Sequence, residues 1–168
     1  MEKYKTFWNR FFAGFIDGLI FLPLWFVDAH LGAPERGPVI IILWSGIIYS
    51  GYWLYSVLLH ARYGQTLGKM VMLVKVLDVT EDRTPTFRQS FLRYIGYIVL
   101  NTLSLVYLIY LVLTGEYFRG AESSSVPGQI LNWASFGWFL LEVISMVTNQ
   151  KRRALHDYIA GTVVIRTA

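Results

Sequence analysis

Two carboxylates, Asp17 and Glu142, sit well inside long apolar stretches of this chain. A carboxylate in low dielectric is costly to ionise, so such a residue holds a proton, pairs with a cation or faces water rather than lipid. Asn101 and Tyr52 occupy similar positions in two further apolar stretches and offer neutral oxygen ligands. Four such groups brought to one level would make a site for a monovalent cation or a proton. Arg10 adds an opposite charge: on a helix, Arg10, Ala13, Gly14, Asp17 and Gly18 share one arc of about 140°. That face carries two charges and a G-x-x-x-G pair, and its other sides are aliphatic and aromatic.

The elements that must position these groups are membrane spans. The 168 residues are 55% hydrophobic and only 15% charged, with mean hydropathy +0.45. Apolar runs near twenty residues predict four helices, about 7–27, 39–59, 92–113 and 130–149. A connector of residues 60–91 and a tail of 150–168 complete a single membrane domain. The first run follows a basic start, and no small-residue cleavage site follows it, so it reads as a retained helix rather than a signal peptide. Of the 15 lysines and arginines, 13 lie in the N-terminus, the connector with its junction to the third span, and the tail; only Arg36 and Arg119 lie on the other side. This bias predicts a multi-pass membrane protein with both termini in the cytoplasm. It also accounts for the net charge of +4 through topology and anionic lipid at the cytoplasmic face, without nucleic acid.

Each remaining span carries a polar stripe at helical spacing: Ser45, Tyr49, Tyr52 and Ser56; then Tyr94, Tyr97, Asn101 and Ser104; then Ser135, Trp138, Glu142, Ser145 and Asn149. Counting 1.5 Å per residue puts Asp17 about 15 Å and Glu142 about 11 Å in from the cytoplasmic ends of their spans. Asn101 and Tyr52 fall near the same level, so the four are expected to form one layer. An ion or proton site is one reading of that layer. The other is structural: polar groups in a bundle bond one another, and Gly14 and Gly18 let helices approach closely.

Several chemistries are excluded or weak. There is no cysteine, hence no disulfide, thiolate metal site or cysteine nucleophile. His30, His60 and His156 are scattered without metal spacing, so no metal or other cofactor is expected. No Ser/His/Asp set falls on one side, and the chain does not read as an enzyme. Gly64-Gln-Thr66-Leu-Gly68-Lys69 has glycines one residue too close for a phosphate loop and lacks the following hydroxyl. After it, Val71–Val79 and the tail's Gly161-Thr162-Val-Val-Ile-Arg166 are β-rich and can pair as a short ribbon, with an interfacial amphipathic helix as the competing form of the first run.

Three motifs in order resemble the RDD family of integral membrane proteins: Arg10-x-x-Ala13-x-x-Ile16-Asp17, then Gly64-x-Thr66-x-Gly68-Lys69 followed by Leu73–Asp78, then His156-Asp157-x-x-Ala-Gly161-Thr162-x-Val. The resemblance spans nearly the whole chain. It implies that Arg10 and Asp17 are two of the name-giving residues and that Asp157, or alternatively Asp78, is the third. It also implies a prokaryotic membrane module to which ligand transport and, in some members, sodium/proton exchange have been attributed. Glu142 matches none of these motifs. The expectation is therefore an all-α, four-helix membrane protein, N-in and C-in, with a small cytoplasmic platform containing a short β ribbon. Its function is monovalent cation (Na+)/H+ exchange, in a homo-oligomer or with a membrane partner. The alternative is a non-transporting scaffold or accessory subunit whose basic face binds lipid or a partner. Arg10, about 10.5 Å along the axis from Asp17, is expected to pair with Asp157 instead.

Overall fold

The structure, a computed structural model, describes residues 2–120 and 125–167, so part of the Ser-rich loop that follows the third span lies outside the described residues. Four helices are long and apolar enough to cross a membrane: α1 (Phe7–Leu31), α2 (Pro38–Tyr63), α4 (Phe87–Thr114) and α5 (Val126–Thr148). Between and after them lie α3 (Leu67–Val71), β1 (Val74–Asp78), α6 (Leu155–Ala160) and β2 (Thr162–Arg166). The expected ribbon forms, with β1 and β2 antiparallel and Val76 opposite Val164. Val74, Val76 and Val164 build its small core, so the interfacial-helix form of this run is not taken.

Local chemistry sets the ends. α4 starts five residues before the expected span because Thr86 and Gln89 form a capping box, each side chain bonding the other's backbone N–H. Pro38 opens α2, where its missing N–H costs nothing, and Gly64 closes it at φ +72°. A Cβ at Gly64 would also lie 2.7 Å from Val76 O, so glycine is required there twice over.

In the bundle α2 packs broadly on α4, α1 leans on α2, and α5 rests on α4, whereas α1 and α5 barely touch. The polar stripes of α2 and α4 meet each other: Ser45 and Ser56 are buried, and Asn101 Nδ2 donates to Tyr49 O at 3.3 Å. α5 meets α4 where Gly96 admits the Trp138 ring; a Cβ there would stand 2.2 Å from Cζ2. Elsewhere α5 is sparsely covered, and among its described residues Glu142 alone is buried. Apolar side chains such as Phe15, Trp25, Leu113 and Trp133 lie on the outer surface, where lipid would meet them.

The connector, the tail and the N-terminal turn lie together at one end of the bundle. Glu81 ties them, accepting from Lys3 Nζ and Tyr4 OH at 2.5 Å each and lying 3.4 Å from Lys151 Nζ. The Lys3 and Tyr4 bonds hold its carboxyl down at about 2. α3 packs along α1, where Gly68 meets the α1 backbone: an added Cβ would lie 2.1 Å from Ala13 O. By contrast, no atom lies within 4 Å of an added Cβ at Gly14 or Gly18. The close helix approach expected at that pair is not made, because the face they share looks outward beside α3 rather than at a neighbouring span.

These contacts order the glycines. Gly68→Ala forces two backbones apart and is expected to destabilise by about 3 kcal/mol, whereas Gly18→Ala leaves stability unchanged or slightly higher. Thermal unfolding of the two variants in the same detergent checks the ranking.

Candidate functional site

The base of the bundle is organised by Asp157, which is fully buried in α6. Its Oδ2 lies 2.9 Å from Arg10 Nη2 and accepts from the Ala154 N–H at 2.9 Å. Its Oδ1 pairs with Arg93 Nη1 and accepts from the Thr162 hydroxyl at 3.2 Å. Burial alone would raise this carboxyl, but Arg10 and then Arg93 hold it well below the usual range. The pair expected between Arg10 and Asp157 of the tail is therefore present. Asp78 caps its own turn instead, taking the Thr80 N–H at 3.0 Å and Gln89 Nε2 at 2.6 Å.

Arg93 is the member that sequence reasoning missed. It reads as one more connector charge, although it lies one helical turn before Tyr97 and two before Asn101 on the polar face of α4. At 3% exposure it is an interior residue.

Asp17 makes a second, separate cluster. Its Oδ1 accepts from Tyr55 OH at 2.9 Å and the Gly68 N–H at 2.8 Å, and its Oδ2 from the Thr66 hydroxyl at 2.6 Å. The loop that resembles a phosphate binder thus has its donors filled by the chain's own carboxylate. Of the expected layer of Asp17, Glu142, Asn101 and Tyr52, two members line one cavity, and Asp17 and Asn101 are not in its lining. α3 rises beside α1 to the level of Asp17 and occupies both its oxygens, and Asn101 is spent on the α2 backbone. Only Glu142 and Tyr52 share a space.

That space is a cavity of about 530 Å³. Arg10, Lys69, Arg93, His156 and Glu142 form its polar wall, joined by the rings of Tyr52, Tyr94 and Tyr97. Phe7, Phe11 and Gly14 of α1 and Phe139, Val143 and Met146 of α5 form the other sides. His156 Nε2 lies 3.2 Å from Arg10 Nη2 and 3.1 Å from Arg93 Nη2. Guanidinium groups only donate, so Nε2 accepts and the ring proton sits on Nδ1. Nδ1 in turn is 2.6 Å from Glu142 Oε2, off the line of a hydrogen bond. Burial, with Arg93 assisting against Asp157 and Glu142, lowers the His156 pKa and keeps the ring neutral.

Lys69 is set in the same wall by α3. Its ammonium has no hydrogen-bond or salt-bridge partner among the described residues. Burial, then Arg93 and Arg10, push it down to about 7 against the pull of Asp17 and Asp157. Arg93 Nε is likewise buried without an acceptor. The carboxylates that balance these cations, Asp17 and Asp157, lie behind the wall with their oxygens engaged. Among the described residues, no three His, Asp or Glu side chains gather as a metal site.

The model of the RDD family matches residues 4–161. The chain belongs to the RDD family. No curated protein and no solved structure gives a significant match. With nearly the whole chain inside this family and four apolar helices, the protein is a multi-pass membrane protein. In this RDD protein the arginine of the first motif and the aspartate of the last meet directly, while the aspartate of the first motif holds the central G-x-T-x-G-K element.

The two aspartates therefore differ in what they hold. Asp157→Asn leaves Arg10 and Arg93 without their charge partner and is expected to cost about 3–5 kcal/mol. Asp17→Asn turns an amide donor toward existing donors, at about 1–3 kcal/mol, and chiefly loosens α3. Thermal unfolding reads the first effect, and amide exchange over residues 65–72 reads the second.

Proposed function

We propose that this RDD protein resides in a prokaryotic cell membrane with both termini cytoplasmic, and that its cavity binds an anionic group with linked proton uptake. The role is one of binding and transport rather than catalysis. The observation that carries the reading is Lys69, which has no carboxylate within salt-bridge distance among the described residues and is set beside Arg10 and Arg93 in the wall of the cavity. An anion placed there meets three cations, with the neutral His156 beside them. Glu142 is the one carboxyl in the lining among the described residues, and its Oε2 lies 2.6 Å from His156 Nδ1, which carries the ring proton.

Sodium/proton exchange has less support from this geometry. Both oxygens of Asp17 are taken by protein donors, and a cation at Glu142 would face Lys69, Arg10 and Arg93. Each like charge at about 6 Å costs about 3 kcal/mol at an effective dielectric of 20. A pure scaffold would account for the Arg–Asp cluster but gives no reason for a buried lysine without a salt-bridge partner in a cavity wall.

The sign of the proton linkage follows from Lys69. Near pH 6 it is mostly charged and attracts an anion; above its pKa of about 7 it becomes neutral and the attraction falls. Arg10 and Arg93 stay charged throughout, so binding weakens rather than vanishes. Bound anion favours the charged forms of Lys69 and His156, so binding takes up protons. In detergent, sulfate or inorganic phosphate is expected to raise the melting temperature at pH 6 and to bind about tenfold more weakly at pH 8.5. Lys69→Met should remove the loss of binding between pH 7 and pH 8.5 while keeping the fold, leaving the weaker dependence that His156 contributes at lower pH. If neither oxyanion shifts the melting of folded protein at pH 6, the reading is wrong. Vesicles with an imposed sodium gradient should show no internal pH change; a change lost in Asp17→Asn would restore cation exchange.

Sidedness is testable because the chain has no cysteine. Single cysteines at Lys3 and Glu35 should label from opposite sides of intact cells, with only Glu35→Cys reacting with an impermeant reagent from outside.

A further inference from the structure

Resting on the anion-binding reading, we infer that the ligand is a membrane amphiphile with a phosphate head group, which reaches the cavity sideways from the bilayer between α1 and α5. Four observations carry this. First, the cavity is two-faced: cations line its platform end, and the rings and aliphatic chains of two spans line the rest. A small soluble anion has no use for the second part. Second, α1 and α5 barely touch, and the cavity residues they contribute are open to the outside: Phe11 is 56% and Phe139 49% exposed. The opening therefore lies on the flank of the bundle, beside the exposed apolar surface of two spans. Third, Arg93 lines this cavity although it is 3% exposed, and its Nε is buried without an acceptor. Fourth, a neighbouring groove of about 500 Å³ on the same flank is bordered by Lys5, Arg152 and Arg166 together with Trp8. Basic residues beside an aromatic ring at the edge of a span are what an anionic lipid surface meets first.

The donor set selects the head group. Lys69 with its three ammonium hydrogens, Arg93, and the phenols of Tyr52, Tyr94 and Tyr97 line the cavity from three different helices, which suits the three or four oxygens of a phosphate better than the two of a carboxylate. The space of about 530 Å³ is of the size that holds a compact ligand. It takes the head and the upper part of one chain, while the remaining hydrocarbon stays in the bilayer beyond Phe11 and Phe139. Gly14 lies on this path with nothing within 4 Å of an added Cβ, which leaves the mouth wide.

Titration of the full-length protein in neutral maltoside micelles at pH 6.5 separates the two levels of the proposal. The probes are inorganic phosphate and dodecyl phosphate, with dodecylphosphocholine as the zwitterionic control. Dodecyl phosphate is expected to bind at least tenfold more tightly than inorganic phosphate, and dodecylphosphocholine at least tenfold more weakly than dodecyl phosphate. Gly14→Phe, whose Cβ meets no neighbour and whose ring narrows the mouth, should weaken dodecyl phosphate at least tenfold more than it weakens inorganic phosphate. Lys69→Met should weaken both. Equal affinity for the two phosphates overturns the amphiphile and leaves the anion site standing. Undiminished dodecyl phosphate binding in a Gly14→Phe protein of normal melting temperature overturns the sideways path. Failure of both phosphates to bind the folded wild type overturns the anion reading beneath them.

Discussion

A buried carboxylate between two guanidinium groups is the constraint on which this molecule depends. Asp157 on its own would be too costly to ionise in the interior, and Arg10 and Arg93 would be too costly to leave unpaired at the edge of the hydrocarbon. Together they are tolerable only in one geometry. That geometry fixes α6 under the bundle, sets the turn into β2 through Thr162, and determines where α1 and α4 end relative to each other. Such a cluster is not a large source of net stability compared with apolar packing of the same volume. What it contributes is a unique register among three segments far apart in sequence.

The second carboxylate does related work by a different route. Asp17 accepts three hydrogen bonds and brings the connector's short helix against the side of α1, with Gly68 permitting backbone contact. Lys69 reaches the cavity as a result of that docking. The charged wall is therefore assembled from two independent clamps, one from the tail and one from the connector, each closing on α1. The cavity remains because nothing closes the gap between α1 and α5 in the same way.

The spans, the ribbon and the Arg10–Asp157 pair were legible because each rests on a local or one-sided rule: hydropathy, β-rich runs, and the cost of a lone arginine on the side where the tail lies. The proposed layer around Asp17 was not, for two physical reasons. Depth counted along a helix says nothing about which neighbour rises to that depth, and here a five-residue helix of the connector does so. Stripes on spans also do not reveal helix order, and those of α2 and α4 turned out to face each other. Arg93 escaped because a charge at a span boundary looks like a loop charge until the partner that buries it is known. Lys69 stood in a motif whose threonine and second glycine serve Asp17, so its own exposure to the cavity had no pattern to announce it.

The order of the three residues along the chain has a consequence for biogenesis. Arg10 and Arg93 emerge from the ribosome and pass to the membrane long before Asp157 is made. Until Asp157 is translated, both guanidinium groups must rely on water and lipid phosphates at the membrane edge, and the spans that carry them have no electrostatic reason to hold their final spacing. The tail therefore acts as a latch that closes last. A chain released early retains all four hydrophobic helices yet lacks the one group that tells a correctly assembled bundle from a loose one, which leaves incomplete copies distinguishable by the unpaired charge they present.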